Sequence, residues 1–180
     1  MADELSELQE NAEHGREDKS LAPISVTMAI LAVGVAVVSL LGHRAHTEEV
    51  LTQARASDQW SYYQAKNIRR HNYEMGVDLL SLVEFKDKAA AEKVTEKYKA
   101  EAGRYTKEQA EIEEQAKELE KESAGEQNRA NRFDLGEVFL EIALVISSLA
   151  LLSRNRTFWY LGIVSGLAGV GIAVTGLLLH

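Results

Sequence analysis

Asp134, Glu137 and Glu141 stand three and four residues apart, a spacing that puts three carboxylates on one face of a helix. Glu141 falls about one turn inside an apolar run, and an ionisable group at membrane depth is costly enough to mark a candidate functional site. Such a carboxylate can relay a proton or a cation. It can also clamp two spans together by pairing with Arg44, His43 or His46, which follow another apolar run at the same level. Because the cluster sits at the edge of its run rather than at the centre, the clamp is favoured, with Arg44, Asp134, Glu137 and Glu141 as an interfacial charge cluster. His43 and His46, with Glu137, have the ligand types for a divalent cation, but one acid and two histidines on different helices are a weak signal. No metal site and no cofactor is expected.

The densest run of chemically able side chains is Ala56 to His71. On a helix Trp60, Gln64, Asn67 and His71 share one face, with Gln53 above them, and Asp58, Tyr62 and Arg69 share another. Trp, Tyr and Arg are the usual anchors of protein interfaces. The expected interaction residues are therefore Trp60, Tyr63, Gln64, Arg70 and His71. The plainer alternative is that they pack against a returning helix and bond internally. His71 alone is a poor catalyst without a partner, and the sequence supplies none nearby. There is no glycine-rich phosphate loop and no Ser–His–Asp order. The chain has no Cys, which excludes disulfides, thiolate metal sites and Cys nucleophiles. No catalytic residue is assigned, and the chain is not expected to be an enzyme. A formal charge of -8 argues against nucleic acid as a partner, because phosphate binding needs a basic face.

The elements that must position these residues are helical. One Pro in 180 residues leaves few breakers, and Ala, Leu, Glu, Lys and Gln are good helix formers. Leu21 to Gly42 carries no charge and is long enough to cross a bilayer. It reads as an uncleaved anchor, since the residues before it are acidic where a signal peptide needs bases. Residues 1–20 read as an acidic flexible segment. A second span is expected over 135–153 and a third over 157–179, the latter opened by Phe158, Trp159 and Tyr160 in the manner of an interfacial aromatic belt. Only Arg154, Asn155 and Arg156 separate them, which predicts an antiparallel pair. Each span carries small residues at three-four spacing: Ala29, Ala32, Ala36 and Ser39; Ala143, Ser147 and Ala150; Gly162, Gly166, Gly169, Ala173 and Gly176. Small seams let helices approach closely in lipid.

Residues 43–134 are expected to form a charged extramembrane hairpin of two long helices turning near Glu84 to Ala89. In the first arm Val50, Ala54, Ser57, Ser61, Ala65, Ile68, Asn72, Met75 and Leu79 recur at three and four. In the second, Ala91, Val94, Tyr98, Ala102, Tyr105, Gln109, Ile112, Ala116, Leu119, Ser123, Glu126, Ala130 and Phe133 do the same. A sustained three-four seam is the mark of a coiled coil. The first seam is small and polar for a core, which suits packing in a multi-helix assembly and predicts a homo-oligomer.

The run Ala56-Ser57-Asp58-Gln59-Trp60, then Tyr63-Gln64-Ala65-Lys66 and Arg69 to His71, resembles the signature of a bacterial membrane family catalogued as domain of unknown function four-three-three-seven. Arg132-Phe133-Asp134-Leu135, Ser147 to Leu152 and Trp159-Tyr160-Leu161-Gly162 agree with it. The resemblance runs from about Ile24 onward. It implies a bacterial inner-membrane protein with three spans, and no known activity, substrate or catalytic residue.

The expected fold is thus an all-α membrane protein, three transmembrane helices with a long antiparallel coiled-coil hairpin between the first and second. The expected partners are the lipid bilayer, further copies of the chain and another membrane protein. Arg154 and Arg156 at the short turn place that turn and the N-terminus in the cytoplasm and the hairpin in the periplasm. The expected function is a homo-oligomeric scaffold or the accessory subunit of a membrane complex; the alternative is a subunit of a small-ion channel or transporter using Glu141.

Overall fold

The computed structural model describes residues 21–178, which form three helices: α1 (Ala22–Ser81), α2 (Lys88–Ser153) and α3 (Arg156–Leu178). The predicted acidic segment 1–20 and the last two residues of the chain lie outside the described residues. No strand occurs among the described residues. All three helices are long and apolar enough to cross a membrane.

Local chemistry sets the helix ends. Pro23 sits in the first turn of α1, where its missing N–H forfeits no intrahelical bond. The Asp87 carboxylate accepts the Ala90 N–H at 3.0 Å and caps α2. The Asn155 side-chain oxygen accepts the Thr157 N–H at 2.9 Å and caps α3. Between α2 and α3 the backbone turns through Arg154 at φ 53°, in the left-handed region that reverses a chain after a helix C-terminus.

The chain divides into two compact units, one made of the described residues up to Glu49 with those from Gly125 onward, the other of Val50–Ala124. In the first, Ile24, Met28, Leu31, Val38, Phe133, Leu140, Ala143, Leu144, Ala150 and Ala173 form the core. The buried face of α3 is the predicted small seam, Gly162, Gly166, Gly169, Ala173 and Gly176. A Cβ on Gly169 would lie 2.7 Å from the Gly136 carbonyl oxygen, and one on Gly136 would lie 2.9 Å from the Gly169 carbonyl oxygen. Here α2 and α3 touch backbone to backbone, which maximises dispersion contact where lipid offers no hydrophobic drive. Ser165 Oγ adds a hydrogen bond to the Phe139 carbonyl at 2.9 Å.

The first span departs from expectation. Ala29 and Ala36 are exposed, and Ala32 and Ser39 only half-buried, whereas Ile24, Ser25, Met28, Leu31 and Val38 are buried. The seams of α2 and α3 are already small, so a third small seam would leave voids. Instead α1 contributes large side chains, with Leu31 seated over Gly166.

In the second unit α2 buries or half-buries Tyr98, Ala102, Tyr105, Gln109, Ile112, Ala116, Leu119 and Ser123 of the predicted seam, whereas Val94 is exposed. The predicted first-arm seam is not its partner. Val50, Ala54, Ser57, Ser61, Ala65, Ile68, Asn72, Met75 and Leu79 are all exposed. The buried or half-buried positions of α1 here are Thr52, Ala56, Gln59, Trp60, Tyr63, Lys66, Asn67, Arg70, Tyr73, Gly76, Val77 and Leu80. The physical reason is area. Aromatic rings and the aliphatic stem of Lys66 cover more surface than Ala and Ser.

Candidate functional site

Two clusters carry the polar chemistry, one in each unit. The first joins α1 to α2 beside the first span. Nε2 of His46 lies 3.0 Å from Asp134 Oδ2, and its Nδ1 lies 3.2 Å from Glu49 Oε2. A neutral imidazole has a single N–H, so only the imidazolium can donate to both carboxylates. The hydrogen bond to Asp134, then that to Glu49, holds the His46 pKa above its ordinary value. Gly42 makes room for this pairing, since a Cβ there would lie 3.2 Å from Asp134 Oδ1. The neighbouring His43 is spent locally, its Nδ1 2.9 Å from the Ser39 carbonyl oxygen.

Of the predicted charge cluster, Asp134 therefore meets a histidine, while the pairing expected for Glu141 does not form. Arg44 and Glu141 are exposed and Glu137 is half-buried. Among the described residues none of these three makes a hydrogen bond or ion pair. Glu141 lies two turns beyond Asp134, out of reach of His46 at the edge of the span. Glu49 is absent from the predicted cluster, although its i, i+3 spacing from His46 is a readable signal. Among the described residues no three His, Asp or Glu side chains converge to hold a metal ion.

The second cluster lies on α1 between Gln59 and Glu74. Trp60 Nε1 donates to Glu120 Oε1 at 2.8 Å, and its ring meets that of Tyr63 edge-on at 5.5 Å. Arg70 donates to Asn67 Oδ1 at 3.1 Å, and His71 Nδ1 lies 3.0 Å from Glu74 Oε2. Trp60, Tyr63 and Arg70 are half-buried, whereas Gln64 and His71 are exposed. The five predicted interaction residues thus divide between two sides of α1.

A close ion pair between α1 and α2 lies outside the predicted set. Lys66 Nζ pairs with Glu108 at 2.5 Å and stands 5.2 Å from the centre of the Tyr105 ring. Lys66 holds the Glu108 carboxyl below its usual range, and Glu108 holds the ammonium above its own. Tyr105 also stacks on Tyr73 at 5.8 Å, and Tyr73 meets Tyr98 edge-on at 5.3 Å. The contacts Gln53–Ser123, Gln59–Gln115, Lys66–Glu108 and Tyr73–Tyr98 rise in number on α1 as they fall on α2. Lys66 is matched by Glu108, while Arg70 bonds to Asn67 and stands 3.8 Å from Glu74, its buried Nε making no hydrogen bond. The arrangement can hold helices together and present a surface.

The model of a family described as Domain of unknown function (DUF4337) matches residues 20–179. The chain belongs to this family. DUF4337 membership covers both polar clusters and all three helices, and the segment around Trp60 that carries the resemblance lies within it. No curated protein and no solved structure matches the chain.

Proposed function

We propose that this DUF4337 chain is a structural or interaction protein of the bacterial inner membrane, a homo-oligomeric scaffold or the accessory subunit of a membrane complex. In this reading the three apolar helices anchor it, and the second unit is an antiparallel coiled-coil hairpin that meets partners in the periplasm. The observation that carries the reading is the face of α1 left uncovered. Ile68 is 61% exposed, and Met75 and Leu79 are each 56% exposed, within an otherwise charged segment. Exposed apolar residues repeated along one helix face mark an interaction surface rather than a solvated one. Trp60 ties α1 to α2 through Glu120, Tyr63 and Arg70 are half-buried on that side, and Gln64 and His71 flank the uncovered face. The size of the complex extracted in mild detergent tests the reading. A Trp60→Ala, His71→Ala double variant is expected to run smaller than the natural chain. An unchanged size removes this surface from the account.

A second reading is supported by one observation. Glu141 is exposed on the span rather than turned into the bundle, and an unpaired carboxylate at that level can line an ion path between protomers. In that case Glu141→Gln abolishes cation flux in proteoliposomes while assembly is retained. Flux that is absent in the natural chain, or equal in the variant, removes it.

A further inference from the structure

We propose that the face of α1 from Ser61 to Leu79 is covered by a second copy of this chain, with the two α1 helices parallel and in register. This deepens the oligomeric reading above and rests on it. From Ser61 the positions Ala65, Ile68, Asn72, Met75 and Leu79 follow at alternating steps of four and three, and Leu82 continues the series just beyond the helix. These are the a and d positions of three consecutive heptads, with Ala65, Asn72 and Leu79 at a. All of them are exposed, Leu82 at 80%.

The opposite side of the same helix is taken. Tyr63, Lys66, Arg70, Tyr73, Val77 and Leu80 fall at b and f and are half-buried in the contacts of their own unit. A second helix can therefore dock on a and d without displacing anything. A seam of period 3.5 is matched by another helix of the same period, and this stretch is itself such a helix.

Asn72 selects the partner and its direction. In a parallel, in-register pair its amide faces the same amide of the second copy, donor to acceptor, and this is the arrangement by which a single a-position Asn fixes register and a two-stranded state. In an antiparallel pair it would face an apolar d residue and lose its hydrogen bonds. The charges agree. Flanking g and e positions that meet across a parallel pair are Gln64 with Arg69, His71 with Gly76, and Asp78 with Val83. No like charges oppose, and the guanidinium of Arg69 meets an amide acceptor. Copies carried by one membrane in one orientation also present α1 in the same direction. Covering this seam in two copies removes on the order of 1,200 Å² from water, the lower edge of stable interfaces.

The test uses the full chain in its own membranes and exploits the absence of Cys. Single cysteines are placed in turn at positions 61 to 82 and exposed to a mild oxidant. Only positions facing their own copy come within the roughly 4.4–6.8 Å Cα separation that a disulfide bridges. The expected result is cross-linked dimer peaking at Ser61→Cys, Ala65→Cys, Ile68→Cys, Asn72→Cys and Met75→Cys, at least tenfold above Tyr63→Cys, Arg70→Cys and Glu74→Cys. Ser61→Cys and Ala65→Cys are nearly isosteric, so folding does not confound them. A flat profile, or cross-linking confined to one point as an antiparallel crossing gives, overturns the proposal. If the extracted complex nonetheless contains several copies, self-assembly stands and only this surface falls; a single-copy mass overturns both.

Discussion

His46 reaches across 88 residues of sequence to Asp134, with Nε2 3.0 Å from the carboxylate. Among the described residues it is the polar side-chain contact that ties α1 to α2 beside the first span, and its other ring nitrogen faces Glu49. The bond to Asp134 raises the folded-state pKa of His46 above its ordinary value. A raised pKa contributes stability that is fully present below the unfolded value near 6.5 and is lost as pH rises through the folded value. Amide exchange in residues 42–49 and 130–137 should therefore be slowest in mildly acidic buffer and quicken as pH rises above neutrality, beyond the intrinsic base catalysis of exchange. His46→Asn should show no such extra acceleration. The side chain is 46% exposed, so the effect is local opening rather than global unfolding.

The close approach of α2 to α3 depends on glycine at two facing positions. Gly169→Val drives a side chain into the Gly136 carbonyl, which lies 2.7 Å from where its Cβ would sit. Overpacking against backbone should cost about 2–3 kcal/mol and lower the melting temperature in detergent. A Cβ at Gly171 would meet nothing within 4 Å. Gly171→Ala should be neutral or stabilise by about 0.5–1 kcal/mol through helix propensity alone.

The same contrast applies in the second unit. A Cβ on Gly76 would stand 2.7 Å from the edge of the Tyr98 ring. Gly76→Ala must push that ring off its edge contact with Tyr73, and a net loss of about 1 kcal/mol is expected. Gly103→Ala meets nothing within 4 Å and should gain about as much. Chemical denaturation followed by helical circular dichroism separates the two.

The proposed orientation rests on the bases at the turn between α2 and α3. Arg154 and Arg156 flank Asn155 there, in the short kind of loop for which the positive-inside bias is strongest. In the proposed orientation the turn between α1 and α2 is periplasmic. Asp87→Cys should react with a membrane-impermeant maleimide in intact spheroplasts. Reaction only after the membrane is broken reverses the assignment.

The glycine seam of α3 is legible in the sequence because, in lipid, small residues at three-four spacing have little use except close approach. The seam of α2 is legible for a similar reason, since Tyr105, Ile112 and Ala116 stand out against charged neighbours. On α1 the pattern misleads. Two faces compete there, one apolar by composition (Ile68, Met75, Leu79) and one aromatic and mixed (Trp60, Tyr63, Lys66, Tyr73), and periodicity selects the first. Burial follows the second, because rings and long aliphatic stems cover more area than small side chains. In the charge cluster, matching distances from the apolar runs bring histidine and carboxylate to one level. Which carboxylate is chosen depends on level along the helix: Glu141 shares the face of Asp134 but lies two turns farther on, so His46 meets Asp134.

The measurement closest to the central claim is native mass spectrometry of the protein released gently from its own membranes. An interaction protein that assembles through the uncovered face of α1 should appear as an integral multiple of its 19.9 kDa chain, alone or with a reproducible second protein. A species holding one chain and nothing else, under conditions that preserve other membrane complexes, would contradict the account.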